Sequence, residues 1–95
     1  MATTLPNIRV IIPSELRSLA GNSTEFGVLA GDVRGVLREL ARQHPQVHVR
    51  LCDERGDPRP HINVFLNDHC LARAELNASL SAGDMVSILP AVSGG

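Results

Sequence analysis

The sequence ends in ILPAVSGG (88–95), and we expect Gly95, preceded by Gly94, to carry a free carboxylate. Glycine has no Cβ, so a Gly-Gly segment is thin and conformationally permissive. Such a segment can enter a narrow channel and place its carboxylate inside another protein's active site. Pro90 cannot donate to a β ladder, so we expect a folded domain over 1–90 and a flexible tail over 91–95.

Two other groups of residues have side chains that could do chemistry. His44, His48 and Cys52 recur every four residues, but Pro45 should end a helix there and no fourth ligand is evident, so we predict solvated loop residues and no metal site. Cys70 follows His69 in a predicted strand, where neighbours face opposite sides, and we predict a small buried side chain. Neither cysteine is predicted to be a nucleophile.

Three arginines, Arg34, Arg38 and Arg42, share one surface of a predicted helix at four-residue spacing. They could meet an acidic patch on a partner. We instead predict a solvated face that is partly paired with Glu39.

The composition excludes several classes of function. With 95 residues, the chain is predicted to be one domain. Aromatic residues make up 2% and the net charge is −1, which argues against stacking platforms and a basic surface for nucleic acid. The sequence contains neither a recognisable secretory signal nor an apolar run of the roughly 20 residues that span a bilayer. Two cysteines fit a reduced, cytoplasmic protein.

The elements that must position the tail follow from local patterns. Strands are predicted over 7–12, 25–29, 62–66, 69–72 and 85–90, with reversals at Gly21-Asn22 and Asn67-Asp68. Asp32 is a good N-cap for a helix that ends near His44, and its apolar stripe is Val33, Val36, Leu37 and Leu40. The segment 47–60 is predicted to be a loop.

This ββαβββ order predicts a two-layer α+β domain. Alternation in the last strand should point Val86 and Ile88 toward the helix, and Met85, Ser87 and Leu89 away from it.

The element order, the ubiquitin-like chain length and three motifs resemble the ubiquitin-like sulfur carriers of the ThiS/MoaD family. The motifs are an NDxxL-like hairpin, a final strand similar to AGDxVxILP and the terminal Gly-Gly. Within the family, HINVFLND (61–68) and GDMVSILPAVSGG (83–95) look most like the CysO type, which supplies sulfur for cysteine biosynthesis in actinobacteria. The resemblance implies a β-grasp fold with a mixed β-sheet on one main helix.

The resemblance also implies a reaction in which the chain is a cosubstrate and not an enzyme. An E1-like adenylyltransferase and sulfurtransferase would use Mg-ATP to adenylate Gly95, and a sulfur donor would convert it to a thiocarboxylate. The implied acceptor is an aminoacrylate on a pyridoxal-phosphate (PLP)-dependent cysteine synthase. A metalloprotease could release cysteine or trim the tail. The chain itself is expected to bind no cofactor.

The same resemblance suggests which residues contact the partners. Phe65 and Leu89 on the outer sheet face would dock the enzyme, together with the tail residues Pro90, Ala91, Val92 and Ser93; alternatively, Phe65 belongs to a small cluster at the sheet edge. Other functions stay open: the small subunit of a molybdopterin synthase, sulfur supply to a secondary metabolite, conjugation to lysines, or a plain interaction domain.

Overall fold

Five strands form one mixed sheet in the computed structural model, which describes residues 4–91. The strands are β1 (Asn7–Ile11), β2 (Glu25–Leu29), β3 (Ile62–Leu66), β4 (His69–Cys70) and β5 (Met85–Pro90). Their order across the sheet is β2-β1-β5-β3-β4, and β5 runs parallel to β1 but antiparallel to β3. The strand that leads into the C-terminal tail is therefore the central one.

One face of this sheet is covered by helix α1 (Val33–Gln43). Asp32 begins α1 as predicted, because its side chain accepts a hydrogen bond from the Gly35 N–H at 2.7 Å. The core lies between the two layers and contains the predicted helical stripe and alternate strand residues: Val33, Val36, Leu37, Leu40, Ile8, Val10, Val28, Val64, Val86 and Ile88. The predicted orientation of Val86 and Ile88 is confirmed.

A second helix, α2 (Pro45–Leu51), extends into the segment that was predicted to be a loop. Pro45 ends α1 but also occupies the first turn of α2, where its missing N–H and fixed φ are compatible with a helix. Val47 and Leu51, four residues apart, are both buried against the core. The prediction of a loop over 47–60 was therefore wrong for its first five positions.

Two further elements differ from the predictions. A 3₁₀ helix (Ser14–Ala20) fills part of the β1–β2 connection, before the predicted reversal at Gly21-Asn22, where both residues have positive φ. Strand β4 spans only His69–Cys70, shorter than the predicted 69–72, and is followed by a short 3₁₀ helix (Arg73–Glu75). Within the described residues, none of the helices has the length and apolar character needed to span a bilayer.

Candidate functional site

The outer face of the sheet carries half-buried apolar side chains around the centre of β5. In register, Ser87 lies between Ile11 of β1 and Phe65 of β3, and Leu89 lies opposite Asn63. Ser87 is only 8% exposed although it points away from α1, since larger side chains flank it on both sides. We call the group Ile11, Phe65, Met85 and Leu89 the outer patch; all four side chains are partly accessible.

The first residue of the tail, Ala91, is still hydrogen-bonded to the sheet, one residue beyond Pro90, where strand pairing was predicted to end. Pro90 is the last residue of β5, and the Ala91 N–H donates to the His61 carbonyl at 2.7 Å. Proline removes only its own donor, so the ladder resumes at the next residue. The predicted site residues Val92, Ser93, Gly94 and Gly95 lie outside the described residues.

An open groove lies next to Pro90, on the side of the sheet that faces the helices. Its apolar walls come from Pro13, Leu16, Leu51 and Ile62, and its polar ones from Glu15, Arg50 and His61. The root of the tail thus has the outer patch on one side of the sheet and a mixed apolar and polar groove on the other.

The two cysteines lie in opposite environments, and both predictions were wrong: Cys70 was predicted to be buried and Cys52 to be solvated. Cys70 is exposed because it pairs with Phe65, which places both side chains on the outer face. Cys52 is buried, and this burial, assisted by the nearby Asp53 carboxylate, raises the pKa of its thiol to about 11. A thiol with that pKa is almost fully protonated at neutral pH and is a poor nucleophile.

Of the two histidines predicted to be solvated loop residues, His48 belongs to a helix and His44 caps the junction of two helices. His44 lies between α1 and α2, and its ring packs on Phe26 with 4.6 Å between ring centroids. His48 lies within α2, where partial burial lowers its pKa. The described residues contain no group of three or more side chains placed to hold a metal ion.

The predicted arginine surface is divided among three different partners. Arg42 pairs with Glu39 as predicted, at 2.8 Å, while Arg38 is 3.9 Å from Asp32. Arg34 instead donates to Asp57 at 2.6 Å, so it is not part of a freely solvated face.

Asp57 links three segments that are distant in sequence. Besides Arg34, it accepts from Arg73 at 3.0 Å, and these two hydrogen bonds lower the pKa of Asp57. The loop that follows α2 is therefore tied to α1 and to the segment after β4. No local sequence pattern connects Arg34, Asp57 and Arg73, so the sequence alone does not predict that these side chains meet.

The model of the ThiS family matches residues 10–95, which includes the central strand, the outer patch and both terminal glycines. The chain belongs to the ThiS family. Sulfur carrier protein CysO of Mycobacterium tuberculosis is 29% identical over 92 residues, covering 94% of this chain and 99% of the relative. Small archaeal modifier protein 1 of Haloferax volcanii is 34% identical over 84 residues, covering 86% of this chain and 93% of the relative.

A chain in the crystal structure of the Amycolatopsis orientalis BexX/CysO complex has a TM-score of 0.78 and 31% identity, covering 93% of this chain and 99% of that one. This similarity confirms the predicted β-grasp fold. The relatives are small carrier and modifier proteins, and the comparisons support a ubiquitin-like sulfur carrier.

Proposed function

We propose that this chain carries sulfur as a thiocarboxylate on Gly95 and supplies it for cysteine biosynthesis. The observation that carries the proposal is the match to the ThiS family through residue 95. Gly94 and Gly95 follow the central strand of the sheet by a few residues, so the folded domain can be held by a partner while the carboxylate reaches its active site. The similarity to CysO supports cysteine biosynthesis as the pathway.

The proposed chemistry requires activation, because a carboxylate has no good leaving group. An E1-like enzyme with Mg-ATP joins a Gly95 oxygen to the α-phosphate of ATP and releases pyrophosphate. Sulfide then attacks the acyl carbon and displaces AMP, which gives the thiocarboxylate directly. If a donor persulfide attacks instead, the product is an acyl disulfide, and thiols must supply two electrons to reduce its S–S bond and release the thiocarboxylate. The thiocarboxylate sulfur then bonds to the acceptor carbon held by a cysteine synthase, whose PLP belongs to that enzyme. The Gly95 acyl group shifts from this sulfur to the amino group of the new cysteine, and hydrolysis of the resulting amide releases cysteine and regenerates the carboxylate.

The proposed docking surface combines the outer patch with the root of the tail. Phe65 and Leu89 are half-buried apolar side chains on a sheet face that no other described element covers. Pro90 and Ala91 continue from this surface, and Val92 and Ser93 would enter the partner's channel. An apolar surface beside a reactive terminus suits a partner that must be bound and released during each cycle.

Intact-mass measurement tests the proposal directly. The chain is incubated with Mg-ATP, its cognate E1-like enzyme and sulfide, beside a variant that lacks Gly95. We expect a mass gain equal to replacing one oxygen by sulfur, absent from the variant. An unchanged mass, with the same enzyme shown to be active on another carrier, contradicts the proposal. Transfer to cysteine is then measured with the cognate PLP enzyme and isotopically labelled sulfide.

A protein modifier is the second candidate, favoured by the 34% identity to small archaeal modifier protein 1. All nine cationic residues of this chain are arginine, so it offers no lysine for isopeptide-linked polymers of itself. The last tryptic site is Arg73, so a conjugate would carry residues 74–95 on a lysine of the target after digestion. Detection of such remnants in cell lysates would support the protein-modifier function. Their absence from lysates in which this chain carries abundant thiocarboxylate would support the sulfur-carrier function.

A further inference from the structure

The outer edge of β3 is only partly covered by β4. Strand β4 pairs with Phe65 and Leu66, and the Leu71 N–H adds one bond to the Val64 carbonyl at 2.8 Å. At the start of β3, the Ile62 N–H donates to the Arg59 carbonyl at 2.9 Å. The stretch between these two bonds is an open edge.

The register shows which backbone groups face this open edge. Along an antiparallel pair of strands, hydrogen-bonded residue pairs alternate with pairs that are not hydrogen-bonded. The Ala91 N–H bonds to His61 and the Asn67 N–H bonds to Met85, so the odd-numbered residues of β3 are the ones that bond to β5. Asn63 therefore bonds to β5, whereas Ile62 and Val64 direct their backbone groups to the opposite edge. Among residues 4–91, the Ile62 carbonyl and the Val64 N–H have no hydrogen-bond partner.

A groove of about 220 Å³ runs along this edge. Its accessible lining is more polar than apolar: apolar side chains, most of them nearly buried, form part of the wall and two arginines contribute to it, namely Ile62, Val64, Leu71, Leu76, Arg59 and Arg73. It is smaller than the roughly 300–1,000 Å³ of small-molecule sites, but it has room for the side chains of a short peptide.

The charge around the groove is positive. Arg73 donates to Asp57 with one nitrogen but keeps a side chain that is 66% exposed. The guanidinium of Arg59 donates to the Val49 carbonyl and, among residues 4–91, forms no ion pair. No carboxylate lines the groove within the part of the chain that the structure describes. The groove thus combines unpaired backbone groups, a partly apolar wall, the exposed guanidinium of Arg73 and the partly exposed Arg59.

We propose that the β3 edge binds an extended segment of a partner protein in which apolar and acidic residues alternate. If the partner segment runs parallel to β3, its residue opposite Asn63 would accept a hydrogen bond from the Val64 N–H and donate one to the Ile62 carbonyl. If the segment runs antiparallel, the residues on either side of that one would make these two hydrogen bonds. The flanking apolar side chains enter the groove, and acidic side chains reach Arg59 and Arg73. A second copy of this chain fits less well, because edge-to-edge pairing brings the arginines of both copies together.

This surface is separate from the outer patch and uses none of its residues. The experiment therefore needs neither the activating enzyme nor the tail, and failure of the sulfur-carrier proposal would leave its outcome unchanged. The probe is the blocked peptide Ac-Glu-Val-Thr-Val-Glu-NH2, whose palindromic sequence fits the edge in either direction. The control peptide replaces both Glu residues by Lys.

Two-dimensional ¹H–¹⁵N NMR of the full chain measures the binding. We expect the acidic peptide to shift the Val64 amide downfield, to slow its hydrogen exchange and to perturb the neighbouring Leu71 and Leu76 amides. Arg59→Glu should weaken binding about tenfold or more, since it replaces a charge-assisted hydrogen bond with repulsion. The matched control Arg17→Glu, on the exposed first 3₁₀ helix, should bind like the unaltered chain.

Three results would overturn the proposal. The first is no shift of the Val64 amide at millimolar acidic peptide, and the second is equal binding of the Lys-containing control. The third is a Val64 shift that depends on protein concentration without peptide, which would assign the edge to a second copy of this chain.

Discussion

The two faces of β5 differ in what covers them, although their residues alternate along one strand. Val86 and Ile88 are fully buried against α1, while Met85 and Leu89 on the other face remain partly accessible. Among residues 4–91, helices pack on one face of this sheet only, so that face holds the fold together and the other is the one we propose for a partner. Neighbouring residues should therefore have separable effects on stability and on sulfur transfer.

The largest expected effect comes from shortening a side chain on the covered face. Ile88→Ala should reduce the free energy of unfolding by about 2–5 kcal/mol, because it leaves a cavity in a fully packed core. Leu89→Ala should cost about 1 kcal/mol or less, since its side chain is only half-buried. Urea unfolding followed by circular dichroism measures both, as the chain has no tryptophan or tyrosine. Equal losses would contradict the distinction between the faces.

The next effect concerns partner docking through the outer patch. Phe65→Asp should reduce kcat/KM for thiocarboxylate formation about tenfold or more, because an apolar anchor becomes a charge that must be desolvated on docking. Leu29→Asp is the matched control: Leu29 is 55% exposed on the outer face but lies on β2, away from the patch. Equal losses in the two variants, with both folded, would place docking elsewhere.

A smaller effect is expected at the Asp57 cluster, and it depends on pH. The pKa of Asp57 lies below its ordinary value of 3.8 because Arg34 and then Arg73 donate to its carboxylate. A lowered folded pKa contributes stability above the unfolded pKa, and this contribution is lost as the pH falls through the folded pKa. Asp57→Asn should thus be less stable than the unaltered chain at pH 7, and the difference should shrink in acid below about pH 4.

Glu39 provides the control for Asp57. Hydrogen bonds from Arg42 and Gln43 lower the pKa of Glu39 to about 2, yet the Arg42 side chain is 68% exposed and the pair lies within one helix. Glu39→Gln should therefore change the urea midpoint at pH 7 less than Asp57→Asn does. The reverse order would show that Asp57 does not hold its loop in place.

The smallest perturbation is a measurement without any substitution. A thiol reagent such as DTNB should label Cys70 in the native protein, because Cys70 is exposed on the outer face. Cys52 should react only in denaturant, since it is buried and its pKa is raised to about 11. Rapid labelling of both thiols in the folded chain would contradict the burial of Cys52.

The sequence by itself predicts the parts of this protein that rest on local patterns. Asp32 and the spacing of Val33 to Leu40 predict α1, and strand alternation predicts which face of β5 is buried. The start of α2 was locally encoded as well, by Pro45 followed by Val47 and Leu51, but Pro45 was interpreted only as a helix end. The exposure of Cys70 also follows from the two-residue turn, which pairs it with the outward Phe65.

The tertiary structure decided the features that depend on residues far apart in the chain. Asp57 meets Arg34 and Arg73 across 23 and 16 residues, and no sequence period relates such positions. The open edge of β3 exists because β4 stops after two residues while Arg59 and Arg73 converge from either side. Local chemistry determines which residues form helices and strands, but only the packed chain determines which of their polar groups are left without partners.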